Sequence, residues 1–166
     1  MAFDGRNLGA RGGYRRWPGA TTHQATIPTV SGNGRDDDEW DQLTEAGLAF
    51  LIERARLEKL TTYTELNATL QRRTGLPGFD FEQERDRAAI GHLLGLIVER
   101  DRPTNGLMIS ALVQYLNAND AGPGFYALAA ELGMLPRRSS AVAKQEFWIQ
   151  QVKALHAYYA LSARNR

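Results

Sequence analysis

From Asp36 onward, apolar residues recur at the three- and four-residue intervals of an amphipathic helix, in segments that glycine and proline separate. In the last and longest segment, four apolar residues share one helical face: Trp148, Val152, Leu155 and Tyr159. As a helix over residues 140–163 it would be about 36 Å long at 1.5 Å per residue. This periodicity constrains the fold more than any other feature, and it predicts a helix-rich domain.

Shorter helices are predicted upstream, and two of them have recognisable ends. The acid run that begins at Asp36 is typical of a helix start, because carboxylates there cap free N–H groups and complement the helix dipole. Thr62 and Glu65 have the pattern of a capping box, and Gly75 is a typical helix stop. The predicted helices cover about 36–59, 62–74, 82–100 and 125–133.

Residues 107–113 depart from the helical pattern. They are apolar and partly β-branched, and a turn sequence over 103–106 precedes them, so they predict a strand. The predicted fold class is therefore mainly α with a small β element (α+β), a winged-helix-like helical domain with a long C-terminal helix. On the predicted helix over 82–100, Gly91 and Gly95 lie one turn apart and predict a flat strip that another backbone can approach.

The N-terminal part of the chain has a different composition. Residues 1–35 contain seven glycines and two prolines, carry a net charge of +4, and show no periodicity. We expect this N-terminal arm to be unfolded on its own. Residues 36–166 form a single helix-rich domain with a net charge of −3. Attraction to a polyanion therefore belongs to the arm.

Candidate binding residues lie in the arm and on the predicted helix over 82–100. In the run 11–17, arginine, glycine and aromatic residues alternate, a pattern typical of segments that stack on bases and follow phosphates. The alternatives are a solvated leader or an arm that docks on a protein partner. The candidate residues for binding nucleic acid or a partner are Arg11, Tyr14, Arg15, Arg16, Trp17, Arg85, Arg87 and His92.

No residue pattern indicates a catalytic site. The absence of cysteine excludes thiolate zinc sites and thiol nucleophiles. The three histidines lack partners at the spacing of known metal motifs, and no phosphate loop is present. Ser110 has no nucleophile elbow and no nearby base. We therefore predict a chain that is not an enzyme and that binds no metal and no cofactor.

The sequence also bears on the compartment. No apolar run is long enough to cross a membrane, and the N-terminus lacks the apolar region of a signal peptide. The expected location is the cytoplasm, with no membrane partner.

Two motifs occur in an order known from another protein family. Thr62-Tyr63 is followed by Arg87-Ala88-Ala89-Ile90-Gly91. Over residues 61–113 this order resembles the C-terminal winged-helix domain of DNA alkyltransferases and alkyltransferase-like proteins, in which threonine-tyrosine precedes a recognition helix with arginine-alanine-valine-glycine. The family's proline-cysteine-histidine-arginine-valine motif would fall at 109–113, where only Val113 agrees. The resemblance implies a DNA-binding fold without alkyl transfer, with Arg87 as the carried-over arginine.

A second resemblance covers residues 60–160. It rests on Ser110-Ala111-Leu112-Val113, on Gly122-Pro123-Gly124-Phe125 and on the aromatic-rich last helix. Together they look like a bacterial domain of unknown function. This resemblance implies a common fold and no established activity.

These observations favour a non-enzymatic binding module. The first hypothesis is a nucleic-acid-binding winged-helix-like domain that the basic arm assists. The alternative is a protein-interaction module that docks through its arm and its long C-terminal helix onto a larger assembly. Nucleic-acid binding requires four arginines of the folded domain to form one exposed basic face: Arg72, Arg73, Arg85 and Arg87.

Overall fold

The computed structural model of this chain describes residues 34–164, which contain five α-helices and two short strands. In chain order they are α1 (Asp37–Arg56), β1 (Thr61–Thr62), α2 (Tyr63–Thr74), α3 (Glu84–Asn105), β2 (Val113–Gln114), α4 (Pro123–Glu131) and α5 (Ala141–Arg164). The predicted class, mainly α with a small β element and a long C-terminal helix, is confirmed. None of these helices combines the length and the apolar character that crossing a bilayer requires.

Local signals set the ends of α1 and α2. The Asp36 carboxylate accepts a hydrogen bond from the Glu39 amide at 2.8 Å, and the Glu39 carboxylate accepts one from the Asp36 amide at 3.1 Å. The acid run therefore caps α1, as predicted. Thr62 Oγ1 likewise accepts from the Glu65 amide at 3.2 Å, and α2 ends at Gly75 in the left-handed conformation, with φ of 71°.

Helix α3 is longer than predicted. It continues beyond residue 100, through Pro103, and ends at Gly106, whose φ is 73°. A proline in the last turn removes one backbone hydrogen bond, the one that its missing N–H would donate to the Glu99 carbonyl. Since both residues are exposed, water can satisfy that carbonyl and the helix tolerates the loss.

The prediction of a strand over residues 107–113 is wrong for most of the segment. Ile109–Leu112 form a 3₁₀ turn, and only Val113–Gln114 are extended, paired in parallel with Thr61–Thr62. The segment packs against α1, α3 and α5, and its side chains from Met108 to Val113 are all buried. Because helices surround it on these sides, it has no strand to pair with apart from the two residues of β1.

The helices α1 and α3 approach each other closely at Gly47. A Cβ atom at this position would lie 2.6 Å from Ile97 Cδ1, which is closer than real Cβ contacts allow. The fully buried side chains of the core include these leucine and isoleucine residues of α1, α2 and α3: Leu43, Leu51, Leu66, Leu70, Leu93 and Ile97.

Arg35 belongs to the folded body. Its side chain is only 8% exposed, it donates to the Pro77 carbonyl at 2.6 Å, and its guanidinium carbon lies 4.7 Å from the centre of the Phe79 ring. The contacts of the body thus begin one residue before the predicted boundary at 36. The chain N-terminal to this point leaves the body beside the loop between α2 and α3.

A buried polar contact joins α5 to α3. The Tyr159 hydroxyl donates to the Asp101 carboxylate, which also accepts from the Asn105 amide at 3.0 Å and is 5% exposed. Burial, together with the hydrogen bond to Asp101, raises the pKa of Tyr159 well above its usual value.

We expect Tyr159→Phe to lower the free energy of unfolding at pH 8 by about 1.5–3 kcal/mol, because a buried carboxylate loses a donor. The raised pKa means that the folded state holds the proton more tightly than the unfolded state. This contribution is therefore complete below pH of about 10 and is lost as the pH rises through the folded-state pKa. Urea unfolding of the wild-type and Tyr159→Phe proteins at pH 8 and pH 11 measures this contribution. The difference in their free energies of unfolding should be smaller at pH 11 than at pH 8. Tyr158→Phe is the matched control, and an equal loss in the control would contradict the assignment.

Candidate functional site

A groove of about 700 Å³ lies between α3 and α4. This volume falls within the range of about 300–1,000 Å³ that is usual for ligand sites. Glycine, alanine and serine supply six of its fourteen lining residues, and we call it the α3–α4 groove. The walls include Ala88, Gly91 and Gly95 from α3, and Gly124, Ala127 and Leu128 from α4.

Three of the wall residues are glycines with open space in front of them. Ideal Cβ atoms placed at Gly91, Gly95 and Gly124 meet no heavy atom within 4 Å. The strip predicted on α3 is therefore present, but no backbone within residues 34–164 fills it. The residues from Ala88 to Glu99 that line the groove span about 16 Å of helix at 1.5 Å per residue.

The floor of the groove is buried and contains one unsatisfied polar group. Leu94, Ser110 and Phe125 line it, and each is less than 9% exposed. The Ser110 hydroxyl is buried and forms no hydrogen bond with any described residue, and the side chain is 4% exposed. A buried hydroxyl without a partner loses about 1–3 kcal/mol of hydrogen-bonding free energy. A ligand that offers one polar group at this depth would recover it.

Tyr63 lines the groove next to two other aromatic rings. Its ring centre is 5.0 Å from that of Tyr115 and 6.5 Å from that of Phe81. Burial raises the pKa of the Tyr63 hydroxyl to about 12, so the hydroxyl keeps its proton at neutral pH. It is the second hydroxyl among the residues that line the groove.

The charge of the groove is negative. Its lining includes the carboxylates of Glu99 and Glu131, and it includes no lysine and no arginine. Both glutamates are exposed, so they lie where a ligand would meet solvent. The groove therefore combines apolar walls with a rim that attracts cations.

The sequence-predicted binding residues number eight, and those that the structure describes do not all line the groove. Five of them lie outside the described residues: Arg11, Tyr14, Arg15, Arg16 and Trp17. The other three are exposed on α3, but only His92 lines the groove, where its ring lies edge-on to Trp40 with centres 5.0 Å apart.

Each of the four arginines that nucleic-acid binding requires forms a hydrogen bond or an ion pair with another residue of the folded domain. Arg73 forms two hydrogen bonds with the Glu53 carboxylate, at 2.7 and 3.1 Å, and Arg72 donates to Thr69 at 3.4 Å. Arg87 donates to the Phe81 carbonyl at 2.6 Å, and Arg85 lies 3.5 Å from the Asp86 carboxylate. Acidic residues alternate with Arg85 and Arg87 in the sequence: Glu82, Glu84 and Asp86. Two of the four arginines, Arg73 and Arg85, thus pair with carboxylates, and acidic residues interrupt the positive charge along residues 82–87.

Sequence reasoning missed most of the groove. Gly91 and Gly95 gave a signal, but the small residues of α4 did not, since alanine and glycine in a short helix have many explanations. The sequence around Ser110 indicates neither a catalytic nor a binding role for its hydroxyl. Its importance here comes from burial without a partner, which depends on segments far apart in the chain.

The described residues contain no group of three or more histidine, aspartate or glutamate side chains arranged to hold a metal ion. The α3–α4 groove offers apolar contact, the hydroxyls of Tyr63 and Ser110, the imidazole of His92 and two carboxylates. Comparison of the chain with protein-family models, with curated proteins and with solved structures gives no significant match.

Proposed function

We propose that this chain is a non-enzymatic protein-interaction module that binds a basic peptide segment with an aromatic anchor in the α3–α4 groove. The observation that carries the proposal is the open strip at Gly91 and Gly95, which faces small residues of α4 across an unfilled space. Large rigid side chains such as tryptophan and tyrosine dominate protein interfaces when they enter pockets of this kind.

Two further observations support a peptide of this chemistry. Glu99 and Glu131 attract a cationic ligand, and the groove offers no positive charge to a phosphate. The buried Ser110 hydroxyl favours an anchor that brings a hydrogen-bonding group with it, as the indole N–H of tryptophan does.

The experiment is a fluorescence-anisotropy titration with a labelled decapeptide that contains arginine, arginine and tryptophan in succession. The N-terminal arm contains the same Arg-Arg-Trp sequence at residues 15–17 and could compete with the peptide. The titrated protein is therefore the full chain with Trp17→Ala. We expect saturable binding that weakens about thirtyfold or more when the peptide's tryptophan becomes alanine, because anchors of this kind contribute about 2 kcal/mol or more. Replacing both peptide arginines by glutamine should also weaken binding and remove most of its salt dependence.

The alternative partner is tested in the same assay. Binding of a labelled single-stranded oligonucleotide, with no binding of the decapeptide, would overturn the proposal in favour of nucleic acid. In that case Arg11, Arg15 and Arg16 of the arm would contact the phosphates. Replacing these arginines by alanine would then lower the slope of log affinity against log salt concentration by about 0.7 for each phosphate contact that is lost.

A further inference from the structure

The residues that line the α3–α4 groove define the features of a ligand that would fit it. The occupant must bring an aromatic body for the apolar walls, one hydrogen-bonding group for Ser110 and positive charge for Glu99 and Glu131. These three requirements come from the groove alone.

The chain carries this combination in its own arm. Residues 14–17 read Tyr-Arg-Arg-Trp, so two arginines directly precede a tryptophan. The indole ring supplies apolar surface and a single N–H donor, and arginine forms forked hydrogen bonds with carboxylates. The arm has a net positive charge, while the body has a net negative one.

The attachment point of the arm places it within reach of the groove. Arg35 is fixed at the Pro77 carbonyl, and five residues further on Trp40 contacts His92, which lines the groove. Trp17 precedes Gly34 by seventeen residues, which span at most about 60 Å when fully extended. A tethered ligand at this range has an effective concentration of about a millimolar, so even a weak site becomes occupied.

We infer that the arm of this chain occupies its own α3–α4 groove, with Trp17 between α3 and α4 and with Arg15 and Arg16 facing Glu99 and Glu131. The indole N–H of Trp17 donates to the Ser110 hydroxyl. The arm is then an internal competitor that an external partner must displace. This inference rests on the proposed function, since it assigns an occupant to the same groove.

Acrylamide quenching of tryptophan fluorescence in the full chain tests the inference. Of the three tryptophans, Trp40 and Trp148 are each 6% exposed in the body, so Trp17 is the one whose accessibility can change most. We expect Trp17, isolated by subtracting the Trp17→Phe protein, to be shielded in the wild-type chain. Gly95→Leu, which fills the groove, should expose it. Glu99→Gln with Glu131→Gln should expose it in part, whereas Glu146→Gln on the exposed face of α5 should not.

The decapeptide titration separates this inference from the proposed function. If the arm competes in cis, Trp17→Ala should bind the decapeptide at least about tenfold more tightly than the wild-type chain. Equal affinities, with Trp17 equally quenched in the wild-type and Gly95→Leu proteins, would overturn the inference and leave the proposed function standing. Absence of binding to any variant would overturn both. Shielding that disappears on dilution would place the arm in the groove of a second copy, which also overturns occupation in cis.

Discussion

Replacing Trp148 by alanine is expected to lower the free energy of unfolding by about 3–5 kcal/mol, the largest stability loss that we expect from a single side chain here. The ring lies in the core at 6% exposure, and its Nε1–H donates to the Ala111 carbonyl at 2.8 Å. One turn later Gln151 Oε1 accepts from the Met108 amide at 2.9 Å. Helix α5 thus satisfies one backbone group just before the 3₁₀ turn and one within it. Trp148→Ala removes one of these contacts together with the ring.

The measurement is urea unfolding followed by far-ultraviolet circular dichroism. Trp148→Phe is the matched control, since it keeps an aromatic ring in the core and removes the N–H donor together with the smaller ring of the indole. It should cost about 1–3 kcal/mol, the range for leaving one buried carbonyl without its partner. A loss below about 1 kcal/mol for Trp148→Ala would mean that α5 does not hold the turn in this way.

The second large effect is on binding. Gly95→Leu is expected to weaken decapeptide binding by the Trp17→Ala chain by about thirtyfold or more, which corresponds to the loss of an anchor contact of about 2 kcal/mol. The leucine side chain extends into space that holds no described heavy atom within 4 Å of its Cβ, so it occupies the groove without displacing the core.

The free energy of unfolding of the Gly95→Leu protein should stay the same or rise, although its peptide binding weakens. Leucine favours the helix over glycine by about 0.5–1 kcal/mol, so the variant should unfold at equal or higher urea concentration. Ala49→Leu is the matched control, because it places the same side chain on an exposed position of α1 that does not line the groove. Full binding by Gly95→Leu would show that the peptide binds elsewhere, and a similar loss with Ala49→Leu would point to a nonspecific effect.

The parts of the fold that the sequence predicts well are those that local chemistry determines. Asp36 and Thr62 cap helices because their side chains reach amides three residues away, and Gly75 ends a helix because its own φ is positive. Each of these features depends on residues no more than four positions apart, so the pattern of residue types is sufficient to predict it.

The parts that it does not predict depend on distant segments. Residues 109–112 have the composition of a strand, and they form a 3₁₀ turn because three helices from other parts of the chain enclose them. The α3–α4 groove is a similar case, since Gly91 and Gly95 indicate a close approach but only the position of α4 leaves the space empty. Ser110 becomes a binding group for the same reason.

The parallel pairing of Thr61 with Val113 has a consequence for the order of folding. It joins residues 52 positions apart and encloses the whole of α2 and α3. Closing a loop of that length costs about 3.5 kcal/mol of chain entropy, whereas two pairs of residues return only about 1–3 kcal/mol in hydrogen bonds. A sheet this small cannot nucleate the domain, because its contacts are worth less than the closure that they require. The two strands therefore meet only after α2 and α3 have packed on α1, which makes the sheet a late product of the helical core.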